Sequence, residues 1–137
     1  MGIRRISYRL HLAIHHELHH GDILAMPVFV FGSNEAGRHG AGAALEARRH
    51  HGAIYGQGFG RQGNSFAIPT KDMKIQPLPL AAIAEYVARF IRYASEHPDE
   101  VFKVTRIGCG LASYTNGDIK PMFRNATTNC DLPEEWQ

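Results

Sequence analysis

The feature that most constrains the fold of this chain is a short apolar run, residues 28–31, that leads directly into Gly32-Ser33-Asn34. A run that is apolar on both faces is typical of a central strand in a parallel sheet, because helices cover both faces of such a sheet. After a glycine loop, the Ala-rich stretch of residues 41–50 favours a helix that ends near Gly52. The pattern therefore predicts a strand, a glycine loop and a helix in succession.

A similar order of elements follows further along the chain. Residues 65–70 are expected to form a strand that ends near Pro69, and residues 80–94 repeat apolar side chains at helical spacing. Residues 101–107 predict a further strand, which opens into Gly108-Cys109-Gly110. Alternating strands and helices with right-handed crossovers predict an α/β fold, a three-layer α/β/α sandwich with a mixed, mostly parallel sheet. Ligands of such sheets bind at the carboxyl ends of the strands.

Composition narrows the class of protein. The 137 residues are expected to form one domain, residues 1–137, in which residues 1–20 are an N-terminal strand plus a His-rich loop extension. A formal net charge of +2 is too small to drive binding to a phosphate backbone, so nucleic acid is not an expected partner. Only two cysteines, no long apolar run and no signal-peptide pattern predict a cytoplasmic protein that does not enter a membrane.

A literal H-E-x-x-H motif occurs at His16-Glu17-Leu18-His19-His20. On a helix, this spacing places His16 and His20 on one face for zinc and Glu17 beside them as a base. The preceding residues alternate like a strand, however, and Gly21 follows at once. A small zinc hydrolase is therefore a minor alternative, and we predict neither a metal site nor another cofactor.

Two further motifs carry weaker signals. Residues 58–63 match G-x-G-x-x-G but precede a strand, so they predict a flexible glycine loop without a dinucleotide role. Cys109 lies between two glycines at a strand end, where a lowered pKa would make a thiol nucleophilic. No histidine lies near Cys109 in the sequence, so we expect a small side chain that lets the backbone approach a ligand.

The strongest signal is a pair of loops with little side-chain bulk. Residues 37–44 precede a helix, whose N-terminus favours anions, and residues 108–112 follow another predicted strand. Two such loops at one edge of a sheet predict a cradle of backbone N–H groups around a diphosphate. A Walker lysine follows neither loop, so we do not expect nucleoside triphosphate hydrolysis of the P-loop kind.

Taken together, these motifs resemble the macro domain superfamily, and within it a divergent macro-like branch found in phage and bacterial genomes. The resemblance covers most of residues 21–114. It is carried by five segments in order: Gly21-Asp22-Ile23, Phe29-Val30-Phe31-Gly32-Ser33-Asn34, His39-Gly40-Ala41-Gly42-Ala43-Ala44, Ser65-Phe66-Ala67-Ile68-Pro69 and Ile107-Gly108-Cys109-Gly110-Leu111-Ala112-Ser113-Tyr114. It implies a macro-like fold whose partner is ADP-ribose or an ADP-ribosylated substrate.

The resemblance also implies a role for each matching residue. Asp22 would accept the adenine amino group with Ile23 against the ring, and Asn34 would orient the distal ribose. Tyr114 would flank that ribose. Nine residues would form the two phosphate loops: Gly40, Ala41, Gly42 and Ala43 in the first, and Gly108, Cys109, Gly110, Leu111 and Ala112 in the second.

Two functions follow from the resemblance and stay open at this point. The first is an enzyme, an ADP-ribosyl hydrolase or an ADP-ribose phosphatase, that cleaves ADP-ribosyl or ADP-ribose phosphate esters with a water held near Asn34. His39 is then a candidate proton carrier, because imidazole titrates near neutrality, and Glu35 is a second candidate. The other function is a non-catalytic ADP-ribose or nucleotide-binding module. Ala44 favours it, since hydrolase-type members often carry an acidic residue at this position.

Overall fold

The computed structural model describes residues 26–137. Several predictions lie outside the described residues: the strand over residues 6–14, the cluster His16-Glu17-His20, and the residues Asp22 and Ile23.

Five strands of the described chain form a sheet in the order β2-β3-β1-β4-β5. Their bounds are β1 Val28–Asn34, β2 Gly60–Gln62, β3 Ser65–Lys71, β4 Phe102–Val104 and β5 Cys130–Asp131. Strands β3, β1, β4 and β5 run parallel, and β2 pairs antiparallel with β3. The prediction of an α/β fold with a mixed, mostly parallel sheet is confirmed.

Three α-helices connect these strands, with bounds α1 Gly42–His50, α2 Leu80–Ser95 and α3 Asn116–Ile119. Short 3-10 turns follow at Lys120–Phe123 and Glu134–Trp136. Helix α2 buries one face, as its apolar spacing predicts, through Ile83, Val87, Phe90 and Ala94. Among the helices of residues 26–137, none has the length and apolarity needed to cross a bilayer.

The side chains of β1 alternate between two hydrophobic clusters, because successive residues of a strand point to opposite faces. Val28 and Val30 pack in the larger cluster with the buried face of α2. Phe31 packs in the smaller cluster with Ala44 and Ala47 of α1. This double burial is the physical reason that residues 28–31 are apolar throughout.

The glycine-rich stretch before β3 differs from its prediction. Gly60–Gln62 pairs with β3 as an edge strand, so the expectation of a flexible loop over residues 58–63 is wrong. Close packing explains the glycines: a Cβ at Gly58 would lie 2.3 Å from the carbonyl oxygen of Asn34. Strand β3 also continues through Pro69 to Lys71, beyond its predicted end.

Candidate ligand-binding site

A cavity of about 430 Å³ lies at the carboxyl ends of β1, β3 and β4. The connection after β1 leads toward β3, whereas the connection after β4 leads toward β5 on the other side. Connections that leave neighbouring strands in opposite directions open a crevice, and ligands of α/β sheets bind in it. The topology of the sheet therefore places the cavity where a ligand site is expected.

The two predicted loops border this one cavity. Residues 40–44 line it at the start of α1, and residues 108 and 110–112 line it after β4. A Cβ added to Gly40, Gly42 or Gly110 would come within 4 Å of no atom in residues 26–137 outside its own local backbone. Bare backbone thus borders open space on both sides of the cavity. The structure brings together the two loops that the sequence singled out.

The start of α1 is suited to an anion. Within the described part of the chain, no side chain caps this helix and its first turn holds no acidic residue. The first amides of a helix have no intrahelical acceptor, and they carry the positive end of its dipole. The amides of this first turn belong to three lining residues: Gly42, Ala43 and Ala44.

The loop after β4 begins with a tight turn at Gly108. Gly108 has φ of +76°, and the Tyr114 amide donates to its carbonyl oxygen at 2.8 Å. A Cβ at Gly108 would lie 3.0 Å from Cδ1 of Ile119. The conformation therefore favours glycine at this turn, and a larger side chain would also require Ile119 to shift. After this turn, three more residues of the loop line the cavity: Gly110, Leu111 and Ala112.

The charged side chains of the cavity are all cationic. Arg38, Lys71 and Arg106 line it, and the lining within residues 26–137 includes no carboxylate. Arg106 is oriented by its Nε, which donates to Oδ1 of Asn116 at 3.0 Å, and one of its terminal nitrogens lies 3.9 Å from the Glu135 carboxylate. The cavity therefore favours an anionic ligand.

Asn34 lies at the end of β1 and lines the cavity, and its side chain holds the following loop closed. Its Oδ1 accepts from the Arg38 amide at 2.9 Å, and its Nδ2 donates to the Arg38 carbonyl at 3.0 Å. A side-chain amide carries two N–H donors. Within residues 26–137, the second N–H of Asn34 makes no hydrogen bond, so it is available to a ligand hydroxyl.

His39 is not among the lining residues. The side chain is fully buried, with the imidazole edge-on to the Phe31 ring. Its Nδ1 lies 3.0 Å from the Ser33 hydroxyl oxygen, and its Nε2 lies 3.1 Å from Oε1 of Gln62. The engagement of both ring nitrogens inside the protein argues against the predicted role of His39 as a proton carrier.

Gln62 determines which tautomer this histidine adopts. The Oε1 atom of Gln62 also accepts from the Ile54 amide at 2.8 Å, and its Nε2 donates to two main-chain carbonyls. Oε1 therefore faces His39 as an acceptor, so Nε2 of His39 carries the hydrogen. Nδ1 lies within hydrogen-bond distance of the Ser33 hydroxyl, so both ring nitrogens have a partner inside the protein.

Two other predicted site residues lie outside the lining. The Tyr114 hydroxyl donates to the Leu78 carbonyl oxygen at 2.6 Å, and Sγ of Cys109 lies 3.8 Å from Oδ1 of Asn116. Glu35 is likewise engaged elsewhere: its carboxylate accepts from the Tyr86 hydroxyl at 2.7 Å, which raises the pKa of Tyr86. The described residues contain no group of three or more His, Cys, Asp or Glu that could hold a metal.

Sequence reasoning gave no individual ligand-binding role to several residues that line the cavity. They are Gly32 and Ser33 of β1, Arg38, Thr70 and Lys71 of β3, Ile75, and Thr105, Arg106 and Ile107 after β4. Most of them stand at or just after the carboxyl ends of predicted strands. That position was the available signal for them.

The thiol of Cys109 is expected to react slowly with alkylating reagents. Burial raises its pKa, and Arg106 offsets this effect only in part, so less thiolate is present near neutral pH than for a free cysteine. Iodoacetamide labelling followed by mass spectrometry should give a rate below that of a cysteine peptide and rising with pH. Cys109→Ser should remove labelling of the folded protein, since Cys130 is buried. Labelling faster than the peptide would contradict the prediction.

Comparison of the chain with protein-family models, with curated proteins and with solved structures finds no match. The geometry of the cavity is therefore the basis for assigning a function.

Proposed function

We propose that this chain binds ADP-ribose or a related NAD-derived nucleotide in the cavity at the carboxyl edge of its sheet. The observation that carries the proposal is the placement of residues 40–44 and 110–112 on the same cavity. The glycines of the two loops, Gly40, Gly42 and Gly110, present bare backbone to open space there. Backbone amides on two sides match the two phosphates of a diphosphate, whose oxygens accept hydrogen bonds in several directions.

Charge and size support the same class of ligand. Three cationic side chains and an uncapped helix start favour an anion, and the described lining holds no carboxylate to repel it. Pockets of about 300–1,000 Å³ are typical for small-molecule ligands, and this cavity falls within that range. The free N–H of Asn34 is suited to orienting the hydroxyls of the distal ribose.

The proposal includes a macro-like, three-layer fold. Packing of α2 against Val28 and Val30, and of α1 against Phe31, supports a sheet with a helix on each face. The strand order also supports it, because the crossover from β1 to β3 and the crossover from β3 to β4 run in opposite directions. Right-handed crossovers in opposite directions place their helices on opposite faces.

Binding without catalysis is the form of this function that we favour. The cavity lining within residues 26–137 contains no Asp, Glu, His or Cys, which are the usual groups for general acid and base catalysis. Both ring nitrogens of His39 have hydrogen-bond partners inside the protein. One N–H and the side-chain oxygen of Asn34 are already hydrogen-bonded to the loop. Hydrolysis of an ADP-ribosyl or ADP-ribose phosphate ester is the alternative.

Isothermal titration calorimetry with ADP-ribose tests the proposal. We expect a Kd in the range of about 1–100 μM, and weaker binding of AMP by at least about tenfold, because AMP supplies only one phosphate. No heat of binding at roughly millimolar ADP-ribose would overturn the proposal. Release of ADP-ribose from a modified protein above the buffer blank would favour the hydrolase alternative over the binding module.

Lys71→Gln is expected to weaken ADP-ribose binding about tenfold, because a charge-assisted contact to the ligand is lost. Lys71 lines the cavity, whereas Lys74 in the next turn is exposed and does not. Lys74→Gln removes the same charge and is the matched control. Calorimetry of both variants at one salt concentration makes the comparison. Equal losses in the two variants would assign the effect to net charge and remove Lys71 from the site.

A further inference from the structure

Ile75 adopts a backbone conformation that its side chain disfavours. Its φ is +63°, in the left-handed region, where a β-branched residue is an outlier and glycine or asparagine is usual. The residue is half-buried and lines the cavity. Strain of this kind persists only where the surrounding structure enforces it, and it clusters at ligand sites.

The turn around Ile75 is enforced by Asp72. The Asp72 carbonyl accepts from the Ile75 amide at 3.1 Å, and its Oδ1 accepts from the amides of Lys74 and Gln76 at 2.8 and 3.0 Å. The Asp72 amide in turn donates to the Gln76 carbonyl at 2.8 Å. Four hydrogen bonds centred on one residue therefore hold the Ile75 backbone at a fixed place on the cavity wall.

That place is on the β3 side of the cavity. Ile75 follows β3, and Lys71 at the end of β3 is the register partner of Asn34. Strand β4, with its glycine loop, lies on the other side of β1, so the two ends of the cavity are about 10 Å apart. With a diphosphate between the loops and the distal ribose at Asn34, the substituent on that ribose faces Ile75.

We propose that Ile75 is a specificity-determining residue, a rigid apolar wall that limits the size of the group attached to the distal ribose. This inference rests on the proposed function. A free ribose hydroxyl is small enough to fit against the wall. A ring in the same position, such as the nicotinamide of NAD⁺, meets the Ile75 side chain, whose backbone the Asp72 turn holds in place. The site thereby distinguishes ADP-ribose from NAD⁺, two ligands that share every other group.

The experiment compares the Kd values of ADP-ribose and NAD⁺ for the unchanged chain and for Ile75→Gly. Glycine opens the wall and suits the left-handed conformation, so the variant should fold. We expect the unchanged chain to prefer ADP-ribose by at least about 30-fold, and Ile75→Gly to shrink this ratio by at least about tenfold. Met73→Gly is the matched control, because Met73 is in the same turn, is exposed and lies outside the lining.

The outcomes separate this inference from the proposed function. If the unchanged chain binds ADP-ribose but Ile75→Gly leaves the ratio of Kd values as it was, the inference is overturned and the proposed function stands. If the unchanged chain binds neither ligand, the proposed function fails and the inference fails with it. Ile75→Asn, which also tolerates a left-handed backbone, provides a second smaller side chain, and its ratio must move in the same direction.

Discussion

Gly110→Val is expected to weaken ADP-ribose binding by at least about 100-fold, equal to about 2.7 kcal/mol, while the protein stays folded. Gly110 lines the cavity, and its φ is not in the left-handed region. A Cβ there would come within 4 Å of no atom in the described residues other than its chain neighbours. The valine methyls therefore project into the space for the ligand without displacing protein atoms. Calorimetry measures the loss, and thermal unfolding followed by circular dichroism should give an unchanged midpoint.

Two further variants complete this experiment. Gly40→Val makes the same change in the first loop, again in open space, and should also abolish binding. Gly117→Val is the control, because Gly117 lies in α3 outside the cavity lining and its Cβ would only touch the Thr115 hydroxyl at 3.7 Å. Gly42 is unsuitable, since its φ of +56° strains any side chain. Wild-type affinity in Gly110→Val would exclude the second loop from the site.

His39→Ala is expected to lower the free energy of unfolding by about 3–4 kcal/mol. The imidazole is fully buried, so its loss leaves a cavity beside Phe31, removes the 3.0 Å partner of the Ser33 hydroxyl, and leaves the Gln62 side-chain oxygen with the Ile54 amide alone. Equilibrium unfolding in urea measures the change. The size of the loss reflects two costs at once, the missing packing and the unsatisfied polar groups.

His50→Ala is the control for this variant. His50 is exposed at the end of α1, and surface substitutions of this kind usually change stability by less than about 0.5 kcal/mol. A loss below about 1 kcal/mol in His39→Ala would contradict the assignment of His39 as a buried structural residue. It would reopen the question of a functional role for the imidazole.

The helices were predictable because their signals are local. The apolar spacing of residues 80–94 defines one buried face, and α2, which ends at Ser95, buries that face. Residues 41–50 combine good helix formers with a glycine just beyond, and α1 begins one residue later than predicted. In both cases, neighbouring residues along the chain carry the information that decides the conformation.

One local signal in the sequence, a capping box at the start of α3, was not among the predictions. Thr115 and Asp118 stand three residues apart, and in the structure they form a capping box at the start of α3: the Thr115 hydroxyl accepts from the Asp118 amide, and the Asp118 carboxylate accepts from the Thr115 amide. The spacing of a capping residue and an acidic residue predicts a helix start there. The short β5 that follows had no comparable signal, since two residues are too few to show a period.

The candidate site was predictable to the extent that it follows from connectivity. Parallel strands joined by crossovers bring their carboxyl ends to one edge, so a glycine loop after β1 and another after β4 had to meet there. The bare backbone of Gly42 and Gly110 on one cavity is the result.

The order of elements and the two loops of small residues were thus determined by the sequence itself, because periodicity and backbone bulk act between neighbours in the chain. Only the tertiary structure decided which way individual side chains point. It turned His39 inward onto Gln62, which lies 23 residues away, and it set Ile75 against the cavity in a conformation that its own side chain opposes. Both placements depend on hydrogen bonds and packing supplied by other segments. Propensity at the residue itself does not encode them.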